Sequence, residues 1–169
     1  MKTLFAFCLL MMTEHIYGGP PSISQVRNMY QLAASQESQC KKLISDLGSY
    51  NENNNPLLGG YRACAIMIMA KYVFNPFDKL SKFNEGKKLL EKCIRKDSSK
   101  TELQYLRLTI QCNAPAFLGY KSSVQQDKTF LMASVANLKD VQLKTQVISF
   151  LLGSGLLSEA EKKKLNALK

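Results

Sequence analysis

Three basic side chains stand at positions where the surrounding sequence predicts an apolar helix surface. Arg107 lies four residues after Leu103 and three before Ile110. Lys87 falls in the apolar seam of another predicted helix, and Arg62 interrupts the most apolar segment of the chain. A buried cation requires a partner or a ligand, because a charge removed from water is strongly destabilising. These side chains are therefore candidates for a pocket or groove that binds an anionic group.

Three tyrosines are the aromatic candidates for the walls of this site: Tyr61, Tyr105 and Tyr120. The alternative is that the cations have a purely structural role. Their aliphatic stems would then cover apolar surface while the charged ends reach solvent or pair with Glu85 or Glu102. The sequence leaves both interpretations open.

The usual residues of catalysis and metal binding are scarce. His15 is the only histidine, and it lies in an N-terminal segment that we expect to be removed. The chain has no C-x-x-C pair, no P-loop and no G-x-G-x-x-G or G-x-S-x-G motif. We predict no catalytic residue, no metal site and no cofactor. An enzyme remains the third possibility, since two carboxylates could meet in the folded chain as a glycosidase-type pair.

The N-terminus predicts export. Lys2 precedes an uninterrupted apolar run at residues 4–12, and polar residues followed by Gly18 and Gly19 come next. A short positive start, a short apolar run and a small-residue exit are typical of a secretory signal peptide. Nine apolar residues are too few to span a bilayer as a helix. We expect residues 1–18 to be removed and the protein to reach the periplasm or the cell surface; the alternative is a buried N-terminal helix.

Four cysteines follow this segment: Cys40, Cys64, Cys93 and Cys112. In an exported chain they could form two disulfides in any of three pairings. Each also lies within a helical pattern, where a free cysteine packs as a small apolar residue. Both states are open at this stage.

Apolar residues recur at three- and four-residue intervals along most of the chain, and no segment alternates as a strand does. We predict an all-α fold of about six to seven helices within one domain, residues 22–169. The first helix is expected to run from Ser22 or Ser24 to Gly48. Asn55, Asn75 and Ser158 are expected to begin later helices, the first two together with a following proline. Short loops favour antiparallel helix hairpins.

The segment NAPAFLGY, residues 113–120, interrupts the helical pattern. We expect Asn113 to end a helix in a left-handed conformation and Pro115 to prevent its continuation. Phe117, Leu118 and Tyr120 are then predicted to turn inward, as in a packed helix break rather than a binding loop.

Two resemblances follow from these residues. The segment KLLEKCIRKDSSKTELQYLRL resembles the joint between tetratricopeptide repeats. The starts of the predicted second and fourth helices are about 43 residues apart, whereas the repeat has a period of 34 residues. This implies an irregular tetratricopeptide-like stack. The segments NPFDKLSKFNEGKKLLE and LRLTIQCNAPAFLGY, with the signal peptide, resemble a group of uncharacterised exported helical proteins of Bacteroidetes, over most of residues 56–135. The resemblance implies export and fold, and no reaction.

The formal net charge is +10, from 23 basic and 13 acidic residues, which favours anionic partners. The basic runs lack interleaved aromatic residues, so we expect no nucleic-acid partner. The function we expect is a non-catalytic binding or scaffolding module of the cell envelope, whose partner is another envelope protein or a peptide. The alternative is a basic surface that binds anionic lipid or polysaccharide.

Overall fold

A computed structural model describes residues 21–168, and this part of the chain is helical with no strands. The all-α prediction is confirmed, with eight α-helices in place of six to seven. They are α1 (Ile23–Ala33), α2 (Glu37–Asp46), α3 (Pro56–Met69), α4 (Pro76–Lys96), α5 (Thr101–Asn113), α6 (Val124–Ser134), α7 (Val141–Gly153) and α8 (Glu159–Asn166). None of the helices in these residues is both long and apolar enough to cross a membrane. The predicted signal peptide, residues 1–18, lies outside the described residues.

The additional helix arises because the predicted first helix, expected to end at Gly48, is divided into α1 and α2. Its buried positions 26, 33, 40 and 47 keep a seven-residue spacing across the break, so periodicity does not reveal the turn. The carbonyls freed at the end of α1 find donors elsewhere. The Tyr72 hydroxyl donates to the oxygen of Ala33 and Lys71 Nζ donates to that of Ala34, both at 2.7 Å.

Side-chain caps begin four of the helices at predicted residues, the first of which is Ser22 at the start of α1. The side chains of Asn55 and Asn75 accept hydrogen bonds from the first turns of α3 and α4, and each is followed by proline. Ser158 forms the predicted capping box of α8 with Glu161. Helix α5 begins without a side-chain cap, because Lys100 occupies its N-cap and makes no side-chain bond there.

The odd-numbered helices are parallel to one another. Ile23, Leu57, Glu102 and Leu143 stand at the starts of α1, α3, α5 and α7, and all four line one cavity. These helices therefore begin at the same end of the molecule, which we call the cavity end. The even-numbered helices follow them through short turns, and α4 is antiparallel to α3, since Gly59 lies against Cys93 and Gly86 against Ala63. The tetratricopeptide-like character of this stack stays a prediction.

Helix α3 is buried on most of its surface, as its apolar sequence predicts. Two glycines allow its neighbours to approach closely. A Cβ atom on Gly86 of α4 would lie 2.4 Å from the oxygen of Ala63, and one on Gly60 would lie 2.5 Å from Leu103 Cδ2. The core divides into two apolar clusters, one built mainly from α1–α4 and the other mainly from α5–α8.

The segment at residues 113–120 is only partly as predicted. Ala114 is extended before the proline, and Tyr120 is buried, with 4% of its surface exposed. Asn113 remains in the last turn of α5, and Gly119, with φ of 60°, adopts the left-handed conformation instead. Phe117 is 86% exposed, so its predicted inward packing is wrong. Leu118 packs partly buried against the first apolar cluster.

Candidate functional site

Arg107 lies buried on α5 and is paired with two carboxylates. Its Nε and Nη2 donate to both oxygens of Asp127 on α6 at 2.8 and 2.7 Å, and its Nη1 donates to Glu91 on α4 at 3.0 Å. Glu91 also accepts the Tyr120 hydroxyl at 2.5 Å, and Lys87 Nζ lies 4.9 Å from the centre of the Tyr120 ring. We call these five residues the Arg107 cluster. The bonds to Asp127, with the nearby Glu91, hold the pKa of Arg107 above its usual value.

A second buried network surrounds Arg27 on α1. Its Nε and Nη2 donate to both oxygens of Glu102 at 2.6 and 2.8 Å, while its Nη1 reaches Asp140 at 2.8 Å and Gln142 at 3.0 Å. The Tyr61 hydroxyl donates to Glu102 at 2.5 Å. We call this set the Arg27 cluster. Its bond to Glu102 raises the pKa of Arg27, so both clusters have permanently charged centres.

The sequence analysis missed Arg27 and Asp127. Arg27 follows Ile23 by four residues and precedes Tyr30 by three, which is the spacing that singled out Arg107. Asp127 likewise precedes Leu131 by four residues, and it is 1% exposed. A search for every charged residue, acidic as well as basic, that lies three or four residues from the apolar residues of a predicted helix would have identified both. Glu102 was predicted as an ion-pair partner for Arg62, Lys87 or Arg107. It does form an ion pair, but with Arg27.

The six predicted site residues do not form one site. Lys87, Arg107 and Tyr120 lie together in the Arg107 cluster, and Tyr61 belongs to the Arg27 cluster. Arg62 is half-buried and donates from Nη1 to the oxygen of Tyr50 at 3.2 Å. Tyr105 is buried in the second apolar cluster, 5.7 Å from the ring of Phe150, and burial raises its pKa to about 12. The geometry therefore does not support one anion pocket made from these six side chains.

A cavity of about 550 Å³ opens at the cavity end of the molecule. Its charged lining comes from five residues, none of which was predicted as a site residue: Arg27, Asp97, Lys100, Glu102 and Asp140. Arg27 and Glu102 are each bound by partners on the protein itself, as described above. The charges of opposite sign in the wall largely neutralise one another, so the cavity has no clear preference for an anion or a cation.

The opposite end carries a cluster of exposed apolar side chains. Helix α4 has 21 residues against 14 in its antiparallel partner α3, a difference of about 10 Å in length. Every residue from 74 to 81 is exposed, so the start of α4 projects beyond its neighbours. Phe74, Phe77 and Leu80 on this projection are 99%, 82% and 47% exposed, and Phe117 is 86% exposed. We call this surface, with its four side chains, the apolar end.

Phe117 lies on the turn between α5 and α6, and this turn packs on α4 through Tyr120. The rings of Tyr120 and Phe83 meet edge to face, with centroids 5.8 Å apart. Leu32, 42% exposed, also lies at this end, since the end of α1 is bonded to the α3–α4 turn. Of the six large exposed apolar side chains in residues 21–168, only Val141, at the start of α7, stands at the cavity end.

Basic residues outnumber acidic ones around the apolar end. On α1–α4 and the turn after α5, the lysines at this end are Lys41, Lys71, Lys79, Lys82 and Lys121, and the acidic residues are Glu37, Asp78 and Glu85. Lys82 pairs with Glu85 at 3.1 Å, an exposed ion pair of little energetic weight. Lys79 and Lys121 form no ion pair with any residue among 21–168.

The four cysteines of the described chain are free, and three of them are buried: Cys40, Cys64 and Cys93. Cys40 Sγ contacts the oxygen of Ala65 at 3.2 Å. Burial raises the pKa of Cys40 and of Cys93 to about 11 in each case, which keeps both thiols protonated and unreactive near neutral pH. Of the two alternatives left by the sequence, the structure contains the free, packed cysteines.

No protein-family model, no curated protein and no solved structure matches the chain. The resemblance to exported helical proteins of Bacteroidetes stays a prediction, as does the absence of a bound metal or cofactor.

Proposed function

We propose that this protein is an exported, non-catalytic module that attaches to the cell envelope through its apolar end. The single observation that carries the proposal is the exposure of three phenylalanine rings, two on the projecting start of α4 and one on the turn after α5, in a chain with net charge +10. Large exposed apolar side chains gathered at one end of a molecule are a feature of sites that bind a protein or a membrane.

The buried charges support a structural role for the ionic residues. Arg27 and Arg107 each form a two-bond pair with a carboxylate and reach a second carboxylate. The carboxylates of Glu102 and Asp127 are thus occupied by guanidinium groups, whereas a catalytic pair needs one oxygen free for the substrate or a proton. This arrangement favours a binding module over an enzyme that uses paired carboxylates.

Export is proposed from the signal-like pattern at residues 1–18. Export would bring the protein to the cell envelope, whose surface suits its basic charge and its exposed rings. The intact mass of the protein recovered from its host measures whether these residues are removed.

Cell fractionation tests attachment. We expect the protein to sediment with the envelope fraction, and the variant Phe77→Ser/Phe117→Ser to move to the soluble exported fraction. Val141→Ser is the matched control, because Val141 is 76% exposed at the cavity end. It should sediment as the unmodified protein does. An apolar-end variant that stays with the envelope at an unchanged melting temperature would contradict the proposal.

A further inference from the structure

We propose that the apolar end is a docking surface for lipid bilayers that contain anionic headgroups. This inference rests on the proposed attachment to the envelope and names the component to which the protein attaches. The argument uses the shape of the surface, its charge and the chemistry of its exposed side chains.

The shape of the apolar end suits insertion into an interface. The exposed start of α4 projects as a convex tip, with Phe74 just before the helix and Phe77 in its first turn. The excess length of α4 over α3, about 10 Å, is comparable to the depth of about 5–10 Å at which interfacial helices place their apolar face. A convex tip presents its rings to a deformable apolar layer without needing a complementary groove.

The charge around the tip points to anionic lipid. Five lysines at this end exceed its three acidic residues, and Lys79 and Lys121 are free of intramolecular ion pairs within the described chain. Lysines adjacent to an inserted apolar group can reach the headgroup layer, where an anionic surface attracts them. The rings thus match the apolar acyl layer of such a membrane, and the free lysines match its anionic headgroup layer.

Other occupants fit this surface less well. Oligosaccharide sites are usually concave, whereas these rings lie on a projection. The excess of lysines around the apolar end disfavours pairing with the same end of a second copy. A protein partner with an acidic apolar groove is the main remaining possibility, and the experiment below separates it from lipid.

The test is sedimentation of the protein, purified as its host processes it, with two kinds of vesicle. One is phosphatidylcholine alone, and the other is an equimolar mixture with phosphatidylglycerol. We expect binding to the mixed vesicles only, weakened by added salt. Phe77→Ser/Phe117→Ser should reduce the partition coefficient about tenfold or more, and Lys79→Gln/Lys121→Gln about fivefold per lysine.

Matched controls carry the same chemical changes elsewhere. Val141→Ser removes an exposed apolar group at the cavity end, and Lys163→Gln/Lys164→Gln removes two exposed charges from α8. Both should bind the mixed vesicles as the unmodified protein does. Equal loss in the test and control variants would overturn the inference, as would equal binding to neutral vesicles.

The two proposals fail in distinguishable ways. If no vesicle is bound, yet the phenylalanine variant still leaves the envelope fraction, the lipid inference is wrong and attachment through a protein or polysaccharide stands. If the variant stays with the envelope, attachment through the apolar end is wrong, and the lipid inference falls with it.

Discussion

Arg107 and Arg27 each bring a positive charge into the helical core, and each is held by carboxylates from other helices. The Arg107 cluster joins α4, α5 and α6, whereas the Arg27 cluster joins α1, α3, α5 and the start of α7. Both clusters include α5, so together they connect the two apolar halves of the core. The positions of the two arginines could be predicted, because each lies three or four residues from apolar residues of its helix. Their partners could not be predicted, because Asp127 and Glu102 meet the arginines only in the folded chain.

Removal of Arg107 is predicted to destabilise the protein strongly. Arg107→Met leaves Asp127 buried without its partner, and we expect a loss of about 3–5 kcal/mol in the free energy of unfolding. The double variant Arg107→Met/Asp127→Leu should recover much of this loss, because no buried charge is then left unpaired on α6. Urea denaturation measures all three proteins.

Lys82→Met is the control for this series, since its ion pair with Glu85 is exposed, and it should change stability by less than about 1 kcal/mol. A single Arg107 variant as stable as the Lys82 variant would show that the Arg107 cluster does not stabilise the core.

Two aromatic residues three positions apart are predicted to differ sharply in their contribution to stability. Tyr120→Ala removes a ring that contacts Phe83 and bonds to Glu91, and should cost about 3–5 kcal/mol. Phe117→Ala removes a ring that is 86% exposed and should leave the melting temperature almost unchanged. Calorimetry of the two variants provides the comparison. Equal destabilisation would mean that Phe117 packs inward after all.

The helices themselves could be predicted wherever the chain marks their ends chemically. The Asn-Pro pairs at 55–56 and 75–76 and the capping box at Ser158 gave the correct starts of α3, α4 and α8. The turn between α1 and α2 has no proline or glycine, and its freed carbonyls are satisfied by Lys71 and Tyr72, which are remote in sequence. The projection of α4 could not be predicted from the sequence either, because it depends on where α3 ends in the folded structure.

The contact between α3 and α4 is predicted to require glycine at position 86. In Gly86→Ala the new methyl group would lie 2.4 Å from the oxygen of Ala63, and separating the helices should cost about 1–3 kcal/mol. Gly153→Ala, at the end of α7, is the matched control, since a Cβ atom there meets nothing within 4 Å. Thermal unfolding should show a lower midpoint for the first variant and an equal or higher midpoint for the second. Two equal midpoints would argue against the close approach of α3 and α4.

At the scale of the whole molecule, the two ends differ in character. The cavity end gathers the starts of four parallel helices around a lining of mixed charge, whereas the apolar end exposes phenylalanine rings among lysines. The composition predicted a preference for anionic partners. The composition could not show which surface would make such a contact, because the exposure of a side chain depends on how the helices differ in length and packing.

The chain contains no tryptophan, so a single introduced indole can report directly on the apolar end. Phe74→Trp replaces a ring that is 99% exposed, and Val141→Trp places the same probe at the cavity end. With mixed phosphatidylcholine and phosphatidylglycerol vesicles, we expect the emission of the Phe74→Trp protein to shift to shorter wavelength and to be quenched by brominated acyl chains. The emission of the Val141→Trp protein should not change. An unshifted Phe74→Trp spectrum, or equal shifts at both ends, would contradict membrane attachment through the apolar end.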